Sequence, residues 1–162
     1  MQVIVASASF TRPGDATPYT SGDLVANSTT AGSVVPMTFS IPNNRAAKIY
    51  RAFVDKTTVG VSGAAFRLHL YRDPPTVANG DNAAWSSTSS NYQGFIDIAT
   101  APTAFSSGFS SSGVYVNNSV FAPMFIFADT DQLLYGLLES RGAYTPGISE
   151  VFTVTLVGET NE

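Results

Sequence analysis

Apolar and polar residues alternate along much of this chain. In 65–72 the residues Phe66, Leu68 and Leu70 fall on one side of an extended backbone, and Arg67, His69 and Tyr71 on the other. The stretch 34–41 repeats this with Val35, Met37, Phe39 and Ile41 as its inward set. In 150–157 Phe152, Val154 and Leu156 oppose Val151, Thr153 and Thr155. A period of two marks strands buried on one face, and the richness in β-branched and aromatic residues suits a pleated surface. Strands are predicted at 2–9, 34–41, 48–59, 65–72, 92–100, 113–116, 120–128, 132–139 and 150–157. Between them lie Pro42-Asn43-Asn44, Ser62-Gly63, Asn79-Gly80-Asp81, Asn117-Asn118, Asp129-Thr130-Asp131 and Pro146-Gly147. Each supplies tolerance of positive φ, a fixed φ, or a side chain that bonds its own backbone. Eight or nine short antiparallel strands with such punctuation predict an all-β sandwich or barrel.

One segment admits two readings. Leu133, Leu134, Leu137 and Leu138 fit a short helix within 129–140, but Gly136 sits in its middle and favours a strand. The stretch 11–33 is long, polar and poor in pattern, so it reads as an interaction arm or long loop anchored by Tyr19, Leu24 and Val25. Two Ser/Gly-rich stretches, 86–91 and 106–113, are surrounded by Trp85, Tyr92, Phe105 and Phe109. No internal repeat at a fixed period is found.

Length and composition narrow the picture. The chain has 162 residues, which suits a single domain over 1–162. Charged residues are only 12%, about half of the usual quarter, and Ser, Thr, Asn and Gly take their place. Surfaces built this way lose little rotamer entropy on contact, which suits packing in arrays. The net charge of −4 argues against a nucleic-acid partner, which needs a basic stripe. The apolar runs near 120–128 and 133–138 are far shorter than the roughly 20 residues of a membrane helix. Residues 1–10 lack the positive flank of a signal peptide and read as a first strand.

Candidate chemistry is sparse. Cysteine is absent, which removes disulfides, thiolate nucleophiles and Cys-ligated metals. The lone histidine, His69, alternates with Leu68 and Leu70 and reads as a surface or inter-sheet polar residue rather than a catalytic base. No pair of the twelve carboxylates is nominated by spacing for acid–base work. The turns Asp129-Thr-Asp131 and Asn79-Gly-Asp81-Asn82 are rich in oxygen, but Asx turns explain them better than calcium does. Asn27-Ser-Thr29 and Asn117-Asn-Ser119 match the short glycosylation sequon. Neither a cofactor nor a metal is expected, and an enzyme is the least favoured reading. Trp85, Tyr92, Phe105 and Phe109 fit a core or subunit interface better than a sugar-stacking platform. The run 120–127 is apolar on both faces, so Phe125 and Phe127 are candidate contacts with another subunit.

Several passages taken together point to a family. These are Tyr19-Thr-Ser-Gly-Asp-Leu-Val-Ala-Asn-Ser28, Val34-Val-Pro-Met-Thr-Phe39, Phe66-Arg-Leu-His-Leu-Tyr71, Pro74-Pro-Thr-Val-Ala-Asn-Gly-Asp-Asn82 and Gly94-Phe-Ile-Asp97. From Tyr19 to about Asp97 the chain resembles head structural proteins of tailed phages, in particular those that decorate, or cement, the capsid. The resemblance implies a jelly-roll-like β-sandwich, a homo-oligomer with a trimer favoured, a virion location on the capsid surface after synthesis in the host cytoplasm, and the major capsid protein as partner. It carries over no active-site residue. The competing expectation is a tail- or fibre-associated module that recognises a carbohydrate receptor.

Overall fold

The computed structural model describes residues 2–41, 46–57, 64–88, 91–98 and 113–160, with the backbone alone for 113–122. Among them lie eleven strands: β1 (Gln2–Thr11), β2 (Leu24–Val25), β3 (Met37–Ser40), β4 (Ala46–Lys56), β5 (Phe66–Tyr71), β6 (Thr76–Val77), β7 (Ser87–Thr88), β8 (Tyr92–Ile98), β9 (Gly113–Phe127), β10 (Leu133–Ser140) and β11 (Val151–Thr160). A single 3-10 turn, Ala31–Ser33, is the only other regular element among the described residues. One sheet has the order β1-β11-β4-β9. A second has the order β2-β10-β5-β8, with β3 also on β10, and β6 and β7 form a small ribbon. Every pairing is antiparallel, and the two larger sheets pack face to face as a β-sandwich.

The core lies where the period-two pattern puts it. Phe66, Leu68 and Leu70 from β5 meet Phe152, Val154 and Leu156 from β11, all buried. Rings order this layer: Phe10 stacks on Phe152 at 5.4 Å, and Phe66 meets Phe152 edge-on at 5.7 Å. Each such side chain contributes about 1.5–3 kcal/mol by leaving water. Gly136 on β10 answers the helix-or-strand question. A Cβ there would stand 2.9 Å from Phe39 Cε2, so glycine makes room for the Phe39 ring in a strand.

The differences from expectation have local causes. The predicted breaks at Asn117-Asn118 do not end a strand; β9 runs on, and its pairing with β4 instead shifts register at Ala52/Val54 and at Ile49/Arg51. These irregularities rephase β4, so Ile49 and Ala52 both point inward although two residues rather than one lie between them. β10 starts one residue later than predicted because Gln132 has φ 64°, a left-handed turn residue. Its turn is held by Asp129, whose Oδ1 accepts from the N–H of Asp131 at 2.9 Å and of Leu133 at 2.8 Å. Val35, expected to point inward, is exposed, because the strand begins only at Met37. The short strands β2, β6 and β7 carry too few residues for alternation to register. The turns at 42–44 and 62–63 and the ends of the predicted strands 48–59 and 92–100 lie outside the described residues.

The stretch 11–33 corrects the idea of an arm. Tyr19, Leu24 and Val25 are 1%, 0% and 2% exposed and pack within the chain, so they are not contacts for a partner. Tyr19 N–H donates to Tyr144 O at 2.9 Å, Leu24 N–H donates to Ala83 O at 2.8 Å, and β2 joins β10. Beneath this stretch lies a buried ionic cluster. Arg12 Nη2 meets Asp81 Oδ2 at 3.0 Å with both side chains fully buried. Tyr19 OH donates to Asp81 Oδ1 at 2.6 Å, Ala26 N–H donates to the same oxygen at 2.8 Å, and Arg12 Nε donates to the Tyr19 oxygen at 3.0 Å. Burial pushes the Asp81 carboxyl up, while these donors oppose that shift. Gly80 lets the turn approach, since a Cβ there would overlap the Thr29 backbone. A polar composition did not mean a loose segment, because Arg12 and Tyr19 are paired inward and backbone bonds tie the stretch to Tyr144, Ala83 and Ser140.

Candidate interaction surface

Registers across the four-stranded sheet define its outer face. Val3 lies opposite Glu159, Glu159 opposite Lys48, and Lys48 opposite Phe125. Directly opposed residues in antiparallel strands share a face, so these four side chains form one row from edge to edge. Val5 sits beside Val3 on β1, and Phe127 beside Phe125 on β9. Their exposures are 73% for Val3, 67% for Val5, 67% for Phe125 and 55% for Phe127. Two apolar stripes thus flank a polar band. In that band Lys48 Nζ stands 4.0 Å from Glu159 and lies 5.3 Å from the Tyr50 ring centroid and 5.8 Å from that of Phe125. Further along, Ser7 Oγ bonds Thr155 Oγ1 and Ser9 Oγ bonds Thr153 Oγ1, each at 2.8 Å, which fixes short hydroxyls in a ladder. The face is balanced in charge, with Lys48 and Arg51 set among Asp55 and Glu159, and its exposed apolar groups are arranged rather than scattered.

The outer face of the five-stranded sheet is different, because much of it is covered. Leu24, Ala26, Tyr71, Val77 and Leu137 form a second apolar cluster there, with Trp85 packed against it. Trp85 lies flat on His69, ring centroids 3.9 Å apart. His69 faces away from the main core as its alternation requires and is buried under the β6–β7 segment, so of the two expected placements the inter-sheet one holds and the surface one is corrected. His69 Nε2 is 2.8 Å from Glu139 Oε2 and Nδ1 is 3.0 Å from Tyr92 OH. An Nε2–H directed at the carboxylate leaves Nδ1 to accept from the tyrosine. Burial pushes the His69 imidazolium below the usual histidine range, with Glu139 opposing. Both ring nitrogens are occupied and one ring face is covered, so the geometry is that of a locked polar contact. Around it Arg67 forms two bonds to Asp97 at 2.6 and 2.9 Å and lies 3.8 Å from the Phe95 ring centroid.

The sequence candidates therefore scatter. Phe125 and Phe127 come together on an exposed face, Trp85 is half-buried over His69, and Tyr19, Leu24 and Val25 are internal. Phe105 and Phe109 lie outside the described residues. Val3, Val5 and Phe95 were missed. An unbroken β-branched run in 3–5 signals burial on both faces, and only the sheet order reveals that β1 is an edge. Among the described residues no group of three or more His, Asp or Glu side chains is placed to hold a metal ion. No family model matches the chain, and no curated protein matches it.

Proposed function

We propose that the chain is a structural virion protein that decorates a tailed-phage capsid, binding the shell of the major capsid protein through the outer face of its four-stranded sheet. The observation that carries this reading is the pair of exposed apolar stripes, Val3–Val5 and Phe125–Phe127, on one face of balanced charge. Aromatic and aliphatic anchors on such a face supply binding energy, while the Ser–Thr ladder adds contact at little entropic cost. Many copies on a repeating shell convert weak single contacts into firm attachment. The capsid assignment itself rests on the resemblance over Tyr19 to Asp97. The test is co-sedimentation with shells assembled from the accompanying major capsid protein. Phe125→Asp and Phe127→Asp change exposed side chains and should leave the fold intact while weakening shell binding at least tenfold. Undiminished binding by the folded variants, or no binding by the wild-type chain, would contradict the reading.

A second reading, a receptor-binding module, draws on Tyr92 and Phe95, which are exposed beside Arg67 and Asp97. Exposed rings next to charged hydrogen-bonding groups suit a carbohydrate. Glycan binding that disappears in Phe95→Ala would favour it over capsid decoration.

A further inference from the structure

Parity along β1 decides which of its backbone groups face outward. Arg12 donates its N–H to Glu150 O at 3.0 Å, and continuing the β1–β11 register by one step places these two residues opposite each other. In an antiparallel pair, opposed residues alternate between exchanging both N–H···O bonds and exchanging neither. Ile4, Ala6, Ala8 and Phe10 therefore bond β11. Val3, Val5, Ser7, Ser9 and Thr11 turn their N–H and C=O groups to the other side, where β3 of the five-stranded sheet packs near β1 but, among the described residues, no strand pairs with it. The bond from Thr57 N–H to Val151 O at 3.1 Å gives the matching phase, with the odd residues of β11 serving β4. Among the described residues no hydrogen bond reaches the outward groups of β1.

Free edges are ordinarily blunted by charge, proline or a bulge. β1 reads QVIVASASFT over ten residues, with no charged side chain and no proline, and its register with β11 is unbroken from Gln2 to Thr11. We propose that β1 pairs antiparallel with β1 of a second copy about a two-fold axis at Ser7, joining two four-stranded sheets edge to edge. In this register Val3 faces Thr11 of the second copy, Val5 faces Ser9 of the second copy, and Ser7 faces its own mate. Every outward residue meets an outward residue, for about ten hydrogen bonds in all. A second copy is the occupant that the strand's chemistry favours. An uncharged strand meets no like charge when it faces itself, and valine and threonine suit cross-strand pairing. The Ser7 and Ser9 hydroxyls are already held within their own sheet by Thr155 and Thr153. The two-fold closes the assembly and covers the β1 edge of both copies. This contact makes a dimer, in place of the trimer that the resemblance implies.

Sedimentation equilibrium at micromolar concentrations tests it. The wild-type chain should give twice the chain mass. Val5→Pro removes one outward donor at an edge position where proline is tolerated, and should weaken the dimer at least tenfold, halving the mass with strand content unchanged by circular dichroism. Ser7→Lys keeps every backbone donor but sets two ammonium groups against each other at the axis. It should weaken the dimer several-fold at low salt and less at high salt, and it serves should the proline variant fail to fold. A wild-type monomer or trimer, or a dimer that Ser7→Lys leaves unchanged at low salt, overturns the proposal. So does edge pairing that forms only with another protein.

Discussion

The two edges of the four-stranded sheet are treated in opposite ways. β9 pairs with β4 through two register shifts, and Val120–Pro123 find no partner between Arg51↔Ser119 and Ile49↔Met124. Pro123 brings no N–H to that edge, and Phe127 N–H is taken by Gln93 Oε1 at 3.2 Å, a side chain from the other sheet. β1 has an unbroken register, no proline and no charge. Both strands expose apolar side chains on the same face, so the contrast lies in the backbone. A chain that blunts one edge with bulges, proline and a borrowed side chain has the means to blunt the other. Such an asymmetry fits an assembly in which β9 offers side chains to a partner and β1 offers hydrogen bonds to one.

The contrast can be broken from the core outward. The largest effect should come from Asp81→Ala, which leaves buried Arg12, the residue that follows β1, without its buried carboxylate and with only the exposed Asp15 at 3.3 Å. Losing one member of a buried ion pair costs about 3–5 kcal/mol, readable as a lowered denaturant midpoint. It should also loosen the end of β1 and weaken the dimer.

Acid sharpens the comparison. His69 is buried with its proton affinity lowered, so the unfolded chain binds that proton at higher pH than the folded one. Stability from this site is present above about pH 6.5 and is lost as pH falls below it. The melting temperature should drop between pH 7.5 and 5.5, and His69→Gln should flatten that slope. β1 carries no titratable side chain, so the monomer–dimer equilibrium should stay level over the same range while the chain remains folded. A dimer that dissociates in step with His69 would mean that the two sheets are coupled.

The smallest effect concerns β9. Gln93→Ala frees the Phe127 N–H and should cost about 0.5–1.5 kcal/mol, measured by chemical denaturation. It should leave the β1 contact unchanged.

The sandwich was legible because the inward residues of β11 alternate without interruption: Phe152, Val154 and Leu156 were placed correctly from pattern alone. The outer layers were not. His69 and Tyr71 look like exposed positions on β5, and only the β6–β7 ribbon with Trp85 covers them. Alternation identifies the two faces of a strand and says nothing about whether a second layer lies over one of them. Arg12 and Asp81 were hidden for another reason. They are 69 positions apart, and each looks like an ordinary loop charge until the fold brings them together. Phe125 and Phe127 are exposed on the outer face, as follows for a run apolar on both faces when the sandwich covers only one.

The central claim is that β1 is an open edge that a second copy closes, and amide hydrogen exchange resolved by residue tests it most directly. The N–H groups of Ile4, Ala6 and Ala8, bonded to β11, should exchange slowly at every concentration. Those of Val3, Val5, Ser7 and Ser9 should exchange fast in dilute protein and slow down as concentration rises through the dimerisation range. Outward amides that exchange slowly even at the lowest concentration, or fast even at the highest, would contradict the account.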